Sequence, residues 1–550
     1  MKFKKTGFKK LPLYRPHLGS VMLSVCVALF LLFTSNRTFW SKINTYLAQE
    51  PVAIAMLYIA MSAFFIAALT VFSAKYVIKP FFIFLVMTSA TASWFVDQFG
   101  VVIDSDMMRN AYQTTPAEAQ HLITWGFVGH LALFAFLPTV FILWVRVVHQ
   151  PLWGKIARNS VVVIGCTLVF AGAAFSYSAT YTAAVREHRD IARALIPMTP
   201  LVSAVKLFTQ VRAEAKIVAQ PLGHDATVVP PINGSRKPRV TVIVAGETAR
   251  AQNFSLGGYQ RDTNPLLAKQ DIIYFPETYS CGTATATSLP CMFSKFKRVD
   301  YTHKKGLENE TLVDVIENSG IKVEWWDNST GSKGIADRIP FVNLSASKDT
   351  RYCKMGECQD GVFLDKLETW LRDVKQDSVL VLHQMGSHGP AYFLRYPDAF
   401  RRFTPDCRTA ELGDCKPEEI VNTYDNTILY TDFILSSIIE RLKASSDRVE
   451  GGMIYMSDHG ESLGEQGLYL HGAPYMLAPD VQTKIPFVLW MDRQFQASMG
   501  VDKACLINNR MSPRSHDNLF NSVLSMLNIS TSAYDRSLDV FADCKLLKSS

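Results

Sequence analysis

Between Tyr279 and Cys291 the chain reads Tyr-Ser-Cys-Gly-Thr-Ala-Thr-Ala-Thr-Ser-Leu-Pro-Cys. Cys281 and Cys291 bracket a run of small hydroxyl residues, and no proline or bulky apolar residue interrupts it before Leu289. A glycine followed by small residues suits a tight turn into a helix, whose first N–H groups are free to meet an anion. A hydroxyl placed there can attack phosphorus once something lowers its pKa. We assign that role to Thr285, with a metal held by residues far along the chain. Taken alone, the stretch also reads as a Ser/Thr-rich loop tied by a disulfide.

Metal-ligating residue types recur at one kind of position. Glu247 follows the apolar run Val240–Ala245, and Asp458-His459 follows Met453–Met456. His383 and His388 follow Val379–Leu382, and His471 comes after the glycine-rich turn beyond His459. One Glu, or one Asp-His pair, is usually structural; their shared place after apolar runs is the signal. Glu, Asp and His are normal zinc ligands, and the Thr285 hydroxyl completes a four-coordinate set. Such a metal stabilises an alkoxide and polarises a phosphoryl oxygen, which answers the pKa problem.

The elements that must position these residues alternate. Val240–Ala245, Ile321–Trp326, Val379–Leu382, Met453–Met456 and Phe487–Trp490 read as buried strands. Thr311–Asn318, Phe363–Val374 and Ile420–Ala444 read as helices between them. This pattern predicts an α/β domain with a mostly parallel sheet, whose ligands sit beyond the carboxyl ends of its strands.

Ten cysteines are present, and eight fall after residue 280. An even number confined to the polar half points to disulfides and an oxidising compartment. Proximity suggests Cys281–Cys291, Cys353–Cys358 and Cys407–Cys415, leaving Cys505 with Cys544, although eight cysteines allow 105 connectivities. Zinc thiolate sites are the alternative, but no pair has C-x-x-C spacing.

The first 180 residues differ in kind. Charged residues make up only 19% of the chain, low for a fully soluble protein. Five apolar runs, near Leu18–Thr34, Val52–Phe72, Pro80–Phe95, Leu122–Val145 and Ser160–Tyr177, approach the roughly 20 residues of a spanning helix. No convincing cleavage site follows the first, so it is read as a retained anchor. The net charge is +7, and six of the positive residues (Lys2, Lys4, Lys5, Lys9, Lys10 and Arg15) precede the first run, so nothing suggests a nucleic-acid surface. With Lys75, Lys79, Arg146, Lys155 and Arg158 between later runs, they predict a cytoplasmic N-terminus. The loop carrying Asp97, Asp104, Asp106 and Glu118 then lies outside, as does everything after residue 180.

In that loop, Thr115-Pro116-Ala117-Glu118 reads as a capped helix start with Glu118 at the third position. The functional alternative is that Asn110, Thr114 and Glu118 meet a lipid headgroup. Residues 181–216, with Arg186, Glu187, His188 and Arg189, read as an amphipathic bridging segment or an interdomain helix. Ala219 to Arg239, with Pro221, Pro230, Pro231, Gly234 and Pro238, reads as a linker. The expected organisation is a five-span transmembrane domain over 1–180, a bridging segment and linker over 181–238, and an outside domain over 239–550.

Gly246-Glu247-Thr248-Ala249-Arg250, Cys281-Gly-Thr-Ala-Thr-Ala286, His383-Gln-Met-Gly-Ser-His-Gly-Pro390 and Ser457-Asp-His-Gly-Glu-Ser462 occur in that order. Together they resemble the lipid A phosphoethanolamine transferases, which include the mobile colistin-resistance enzymes and belong to the alkaline phosphatase/sulfatase superfamily. The resemblance covers nearly the whole chain and implies an alkaline-phosphatase-like fold for the outside domain. It implies that Thr285 is the nucleophile and carries phosphoethanolamine covalently. It implies Glu247, Asp458 and His459 as zinc ligands with Thr285 as the fourth. His388 and His471 match residues that contact the phosphoryl group or a second zinc, and Lys333 matches a phosphate-contacting lysine. Asn110, Thr114 and Glu118 match headgroup contacts. Two departures stand out: Thr330 replaces a serine found in some members, and Ile196-Pro197 stands where Asn-Pro is commoner.

The resemblance further implies a bacterial inner-membrane protein with a periplasmic catalytic domain. Its donor would be phosphatidylethanolamine, its acceptor a lipid A phosphate, its by-product diacylglycerol, and its consequence polymyxin or colistin resistance. The same chemistry onto a core sugar or periplasmic glycan is the nearest rival. A sulfatase is disfavoured, since the C-x-P-x-R stretch that makes its nucleophile is missing. A membrane-anchored binding protein with an inactive domain is the rival from another class.

Overall fold

The computed structural model describes residues 14–188, 190–234, 237–354 and 356–545. The lysines between Lys2 and Lys10, and Arg189, lie outside the described residues. The chain divides into two units, one drawn from Met1–Gln98 and Trp125–Leu201, the other from Phe99–Thr124 and Val202–Ser550.

In the first unit, Pro51–Val71, Ile78–Phe99, Trp125–Trp144 and Leu152–Ser176 are each long and apolar enough to cross a membrane. The first apolar run forms only a 15-residue helix, Ser20–Thr34, about 22 Å long and short of a roughly 30 Å hydrocarbon core. It bends by 62° into Arg37–Tyr46, and the two together make a fifth candidate span. The described residues thus hold four to five candidate spans, the first apolar run supplying one that is broken along its length. The reason lies at Ser35-Asn36, where polar residues interrupt the apolar run. A π turn, Ala132–Phe136, interrupts the helix Trp125–Trp144 just before Pro138.

The second unit is built on a seven-stranded sheet. Its strands are β1 (Arg239–Gly246), β2 (Ile273–Phe275), β3 (Lys322–Asp327), β4 (Phe341–Asn343), β5 (Ser378–His383), β6 (Glu450–Ser457) and β7 (Phe487–Met491). Their spatial order is β2-β7-β6-β1-β5-β3-β4. β7 alone is reversed, running antiparallel to both β2 and β6, while the other six strands share one direction. Strands β1, β5 and β6 are buried along their whole length, as near-continuous apolar runs in a parallel sheet require. The helix Pro417–Ala444 packs on β6, with Pro at its start, Glu418 and Glu419 in the first turn and Arg441 and Lys443 in the last, all suited to its dipole.

Register decides what the sheet presents. Ala245 pairs with His383, Gly246 with Ser457, and His383 with Asp327. Four parallel strands thus end level, and the residues just beyond them meet at one edge.

Two segments settle differently from a simple reading of the chain. Residues 99–124, between apolar runs, belong to the second unit. They are held there by a two-fold hydrogen-bonded ion pair from Arg109 to Glu214 (2.8 Å each) and by His121 against Glu357 (3.0 Å). The proline-rich stretch before β1 is also docked: Leu222 and Ala226 are buried in the core, and Thr227–Val228 pairs with Ile529–Ser530. The cysteines pair as Cys281–Cys291, Cys353–Cys358, Cys407–Cys415 and Cys505–Cys544. Cys26 and Cys166 are unpaired.

Candidate active site and metal centre

Thr285 is the first residue of the helix Thr285–Met292, with Ala284 extended before it. Its Oγ1 lies 3.2 and 3.1 Å from the two carboxylate oxygens of Glu247 and 3.2 Å from Nε2 of His459. The turn that delivers it is tied down on several sides. The Cys281–Cys291 disulfide joins its start to the helix. The Gly282 N–H donates to Ser288 Oγ (3.1 Å), and that hydroxyl donates to the Asp458 carbonyl. A side chain at Gly282 would meet Ser288 at 3.2 Å, so the close approach favours glycine.

Glu247, Asp458 and His459 form one buried group whose ligand atoms all lie within 4.8 Å of one another. Each follows a strand end: Glu247 after β1, Asp458-His459 after β6. Thr248 takes a left-handed φ of 60°, which turns the chain so that its N–H donates to Asp458 Oδ1 (3.1 Å). The His459 Nδ1–H donates to the Gly460 carbonyl (2.8 Å), so Nε2 presents its lone pair to the group.

The charges inside the group conflict as they stand. Burial and the neighbouring Glu247 carboxylate push Asp458 up to about 6. Burial also opposes ionisation of Glu247, but His383, 3.9 Å away, and His388, hydrogen-bonded to it at 3.2 Å, hold it well below the usual carboxylate range. Asp458 Oδ2 is buried without a hydrogen-bond partner among the described residues. Two buried carboxylates, an inward-facing imidazole lone pair and an unpartnered carboxylate oxygen fit a divalent cation, which would reverse the local electrostatics.

The other predicted residues surround this group to different degrees. His388 stands between two carboxylates, Nδ1 at 3.2 Å from Glu247 and Nε2 at 2.8 Å from Glu118. Its ring is 5.9 Å from that of His471, which in turn lies 4.3 Å from that of His459. Burial and the nearby His388 push His471 down to about 4. Lys333, at a strained φ of 53°, donates to the Thr330 carbonyl (2.8 Å). Burial lowers its pKa, while Glu247, Asp327, Glu118 and Asp458 pull it back up. Lys333 therefore sits in the field of the whole cluster.

Glu118 does not close a capping box. Its N–H donates to Thr115 Oγ1 (3.2 Å), as the sequence suggests, but its carboxylate turns to His388 instead of the helix start. Asn110 and Thr114 come less close. The Thr114 hydroxyl donates to the Asn110 carbonyl (3.0 Å), and among the described residues neither side chain hydrogen-bonds to the cluster.

Three residues here carry weight that the sequence did not reveal. His516 is buried, accepts from the Cys281 N–H (3.0 Å) and donates to the Ser457 carbonyl (2.9 Å), tying the Thr285 turn to the end of β6. Asp327, last in β3, accepts from His383 Nδ1 (2.8 Å). Burial alone would lower His383, yet that carboxylate holds it up at about 9. Asp360 accepts from the N–H groups of Met385 (2.8 Å) and Gly386 (3.0 Å) and so shapes the loop carrying His388. His516 offered no local signal at all. Asp327 ends an apolar run just as Glu247 follows one, and that position was its only clue.

Comparison with known proteins covers both units. The Sulfatase family model matches residues 239–529, and the model described as Phosphoethanolamine transferase EptA/EptB matches residues 61–211. The phosphoethanolamine transferase EptA of Salmonella typhimurium is 38% identical over 97% of this chain and 99% of its own length. The phosphatidylethanolamine transferase Mcr-1 of Escherichia coli is 35% identical over 88% of this chain and 91% of its own. Among solved structures, the integral membrane protein lipooligosaccharide phosphoethanolamine transferase A (EptA) from Neisseria meningitidis superposes with a TM-score of 0.93. It is 34% identical and covers 96% of this chain and 100% of its own. A match of that extent, over the apolar helices as well as the unit built on the sheet, makes this chain a member of the phosphoethanolamine transferase family within the alkaline phosphatase/sulfatase superfamily.

Proposed function

We propose that this protein transfers phosphoethanolamine from phosphatidylethanolamine to a phosphate of lipid A through a covalent intermediate on Thr285. The observation that carries this reading is the Thr285 hydroxyl at a helix start, within 3.2 Å of both Glu247 and His459. In the first step Thr285 Oγ1 bonds to phosphorus and loses its proton. The phosphorus–oxygen bond to glycerol breaks, and that oxygen takes up a proton to leave as diacylglycerol. In the second step an oxygen of a lipid A phosphate attacks the same phosphorus. Thr285 leaves and regains its proton.

Glu247, Asp458 and His459, with Thr285, are the residues that would hold a zinc ion, since their oxygen and nitrogen donors suit it. Zinc there supplies stabilisation of the Thr285 alkoxide and polarisation of the phosphoryl oxygen. His388, His471 and Lys333 stand around the same point and would hold the phosphoryl oxygens or, for the histidines, a second zinc. Asn110, Thr114 and Glu118 would meet the ethanolamine headgroup, Glu118 reaching the group through His388.

The relatives named for phosphatidylethanolamine and lipooligosaccharide support the lipid donor and acceptor. They and the basic flanks of the apolar runs support a multi-pass inner-membrane protein, N-terminus cytoplasmic and catalytic unit periplasmic. Each amine added to lipid A offsets negative charge and weakens binding of cationic peptides such as polymyxin and colistin.

The test is a mass spectrum of lipid A from a host expressing the chain, beside one expressing Thr285→Ala. A phosphoethanolamine-sized gain in the first alone supports acceptor and nucleophile together. No gain, with loss of headgroup from labelled phosphatidylethanolamine, would move the acceptor to a core sugar or periplasmic glycan. No headgroup loss in either would overturn the transfer itself.

A further inference from the structure

The membrane unit contains an apolar groove of about 690 Å³ that the transfer reaction does not use. Cys26 and Phe30 form one wall, Val86 another, and Leu137, Phe141 and Trp144 a third. The volume lies within the roughly 300–1,000 Å³ of ordinary ligand pockets. Along the third wall the groove runs from Leu133 to Trp144, about 16 Å of helix. Its third wall includes Leu133 and Phe134 of the π turn Ala132–Phe136 and Pro138 just beyond it, where the regular helix surface is broken.

One end of this groove is ringed by cations. Trp144 Nε1–H donates to the Tyr14 carbonyl (2.8 Å), and the Arg146 N–H donates to the Pro16 carbonyl (2.9 Å). Lys79 Nζ donates to the carbonyls of Leu143 (3.0 Å) and Val145 (2.6 Å). Arg15, Lys79 and Arg146 are therefore gathered beside Trp144, and the two arginines are exposed. Nearby, Lys155 is buried and donates to the Ser73 carbonyl two residues before Lys75, and Arg158 reaches Ser20 Oγ (3.5 Å). Among the described residues none of these six cations forms an ion pair, and residues 14–49, 72–96 and 140–186 contain no Asp or Glu.

A concave apolar surface inside a bilayer is filled by an acyl chain, and basic pockets between spanning helices select anionic headgroups. We propose that this groove binds one anionic phospholipid, an acyl chain lying against Cys26, Phe30 and Leu137 and its phosphate meeting Arg15, Lys79 and Arg146. The lipid comes from the leaflet that faces these cations. It is separate from the Thr285 cluster and independent of the reaction proposed there. Orientation in the membrane explains an excess of cations; it does not explain an acyl-sized groove opening among them.

The test uses the full chain purified in neutral detergent and titrated with phosphatidylglycerol, phosphatidylcholine or phosphatidylethanolamine of equal chain length, read by native mass spectrometry. One phosphatidylglycerol should be retained about tenfold better than either zwitterionic lipid. Arg15→Gln with Arg146→Gln should reduce its retention to the zwitterionic level. Leu137→Trp should block the groove and remove the retained lipid, and Cys26→Phe fills it from the opposite wall should the first variant not yield folded protein. Equal retention of all three lipids would overturn the proposal. So would phosphatidylglycerol retention unchanged by the double charge variant, or unchanged by either groove-filling variant.

Discussion

His388 Nε2 lies 2.8 Å from Glu118 Oε1, joining a loop set between two apolar helices to the edge of the sheet beside Glu247, Asp458 and His459. The other ring nitrogen faces Glu247 at 3.2 Å, so a single imidazole connects that loop to the candidate metal centre. Glu118→Ala leaves this buried histidine with one carboxylate fewer. The expected result is a loss of about ten- to a hundredfold in transfer from a lipid donor, with Glu118→Gln losing less because it keeps one acceptor oxygen. Initial rates on labelled phosphatidylethanolamine would check it; equal rates for wild type and Glu118→Ala would remove Glu118 from the site.

Thr285→Ala removes the hydroxyl and should lower phosphoethanolamine transfer by on the order of a thousandfold or more, as loss of a nucleophile does. Thr285→Ser keeps an oxygen at the same helix start and should retain measurable turnover. Intact-protein mass spectrometry after brief exposure to donor should find the added group on the wild type and not on the alanine variant.

Metal removal should be felt as stability as well as rate. Glu247 and Asp458 face each other across a buried site, and a cation there relieves their repulsion. Chelation should lower the melting temperature of the full chain, by an amount equivalent to about 3 kcal/mol if the metal stands a hundredfold above its Kd. In Glu247→Gln the chelator should produce little further change. A chelator that leaves wild type and variant melting alike, before and after treatment, would argue against a resident metal.

Asp432 offers a pH test well away from the metal. Its carboxylate accepts from the Leu266 and Leu267 N–H groups (2.9 Å each), yet burial, with those bonds opposing it, pushes it up to about 7. Because the folded value is raised, the stabilisation is fully present below the unfolded value near 4 and is lost as pH rises through 7. Thermal unfolding should therefore show wild type losing about 2 to 4 kcal/mol more than Asp432→Asn between pH 5 and pH 9. Parallel curves for the two proteins would contradict this.

Gly386 has φ of +52°, and a side chain there would come within 2.5 Å of the Glu247 carbonyl. Gly386→Ala should move the His388 loop away from Glu247 and destabilise the protein by roughly 1–3 kcal/mol. Circular dichroism melts with transfer rates on the same sample would show both effects; an unchanged rate in a folded variant would mean that the loop tolerates the shift.

The residue types at the site were legible in the chain because strand ends in a parallel sheet have a local signature. An apolar run such as Val240–Ala245 stops, and a chemically capable residue such as Glu247 follows. The alternation of runs and helices announced the sheet for the same reason, since hydrophobic periodicity is local. Three disulfides likewise join the closely spaced cysteines, and the fourth joins the two left over, Cys505 and Cys544.

Tertiary structure alone decided which of those ends meet. The pairing of Gly246 with Ser457 spans more than two hundred residues, and no local pattern encodes it. It took the register of β1, β5 and β6 to place Glu247, His383 and Asp458 side by side, and the fold to bring His516 under the Thr285 turn. The same holds for Glu118. Its sequence context describes a capped helix, and only docking of the loop against the sheet edge turns its carboxylate to His388, because a buried imidazole flanked by carboxylates is a stronger partner than a backbone N–H at the helix start.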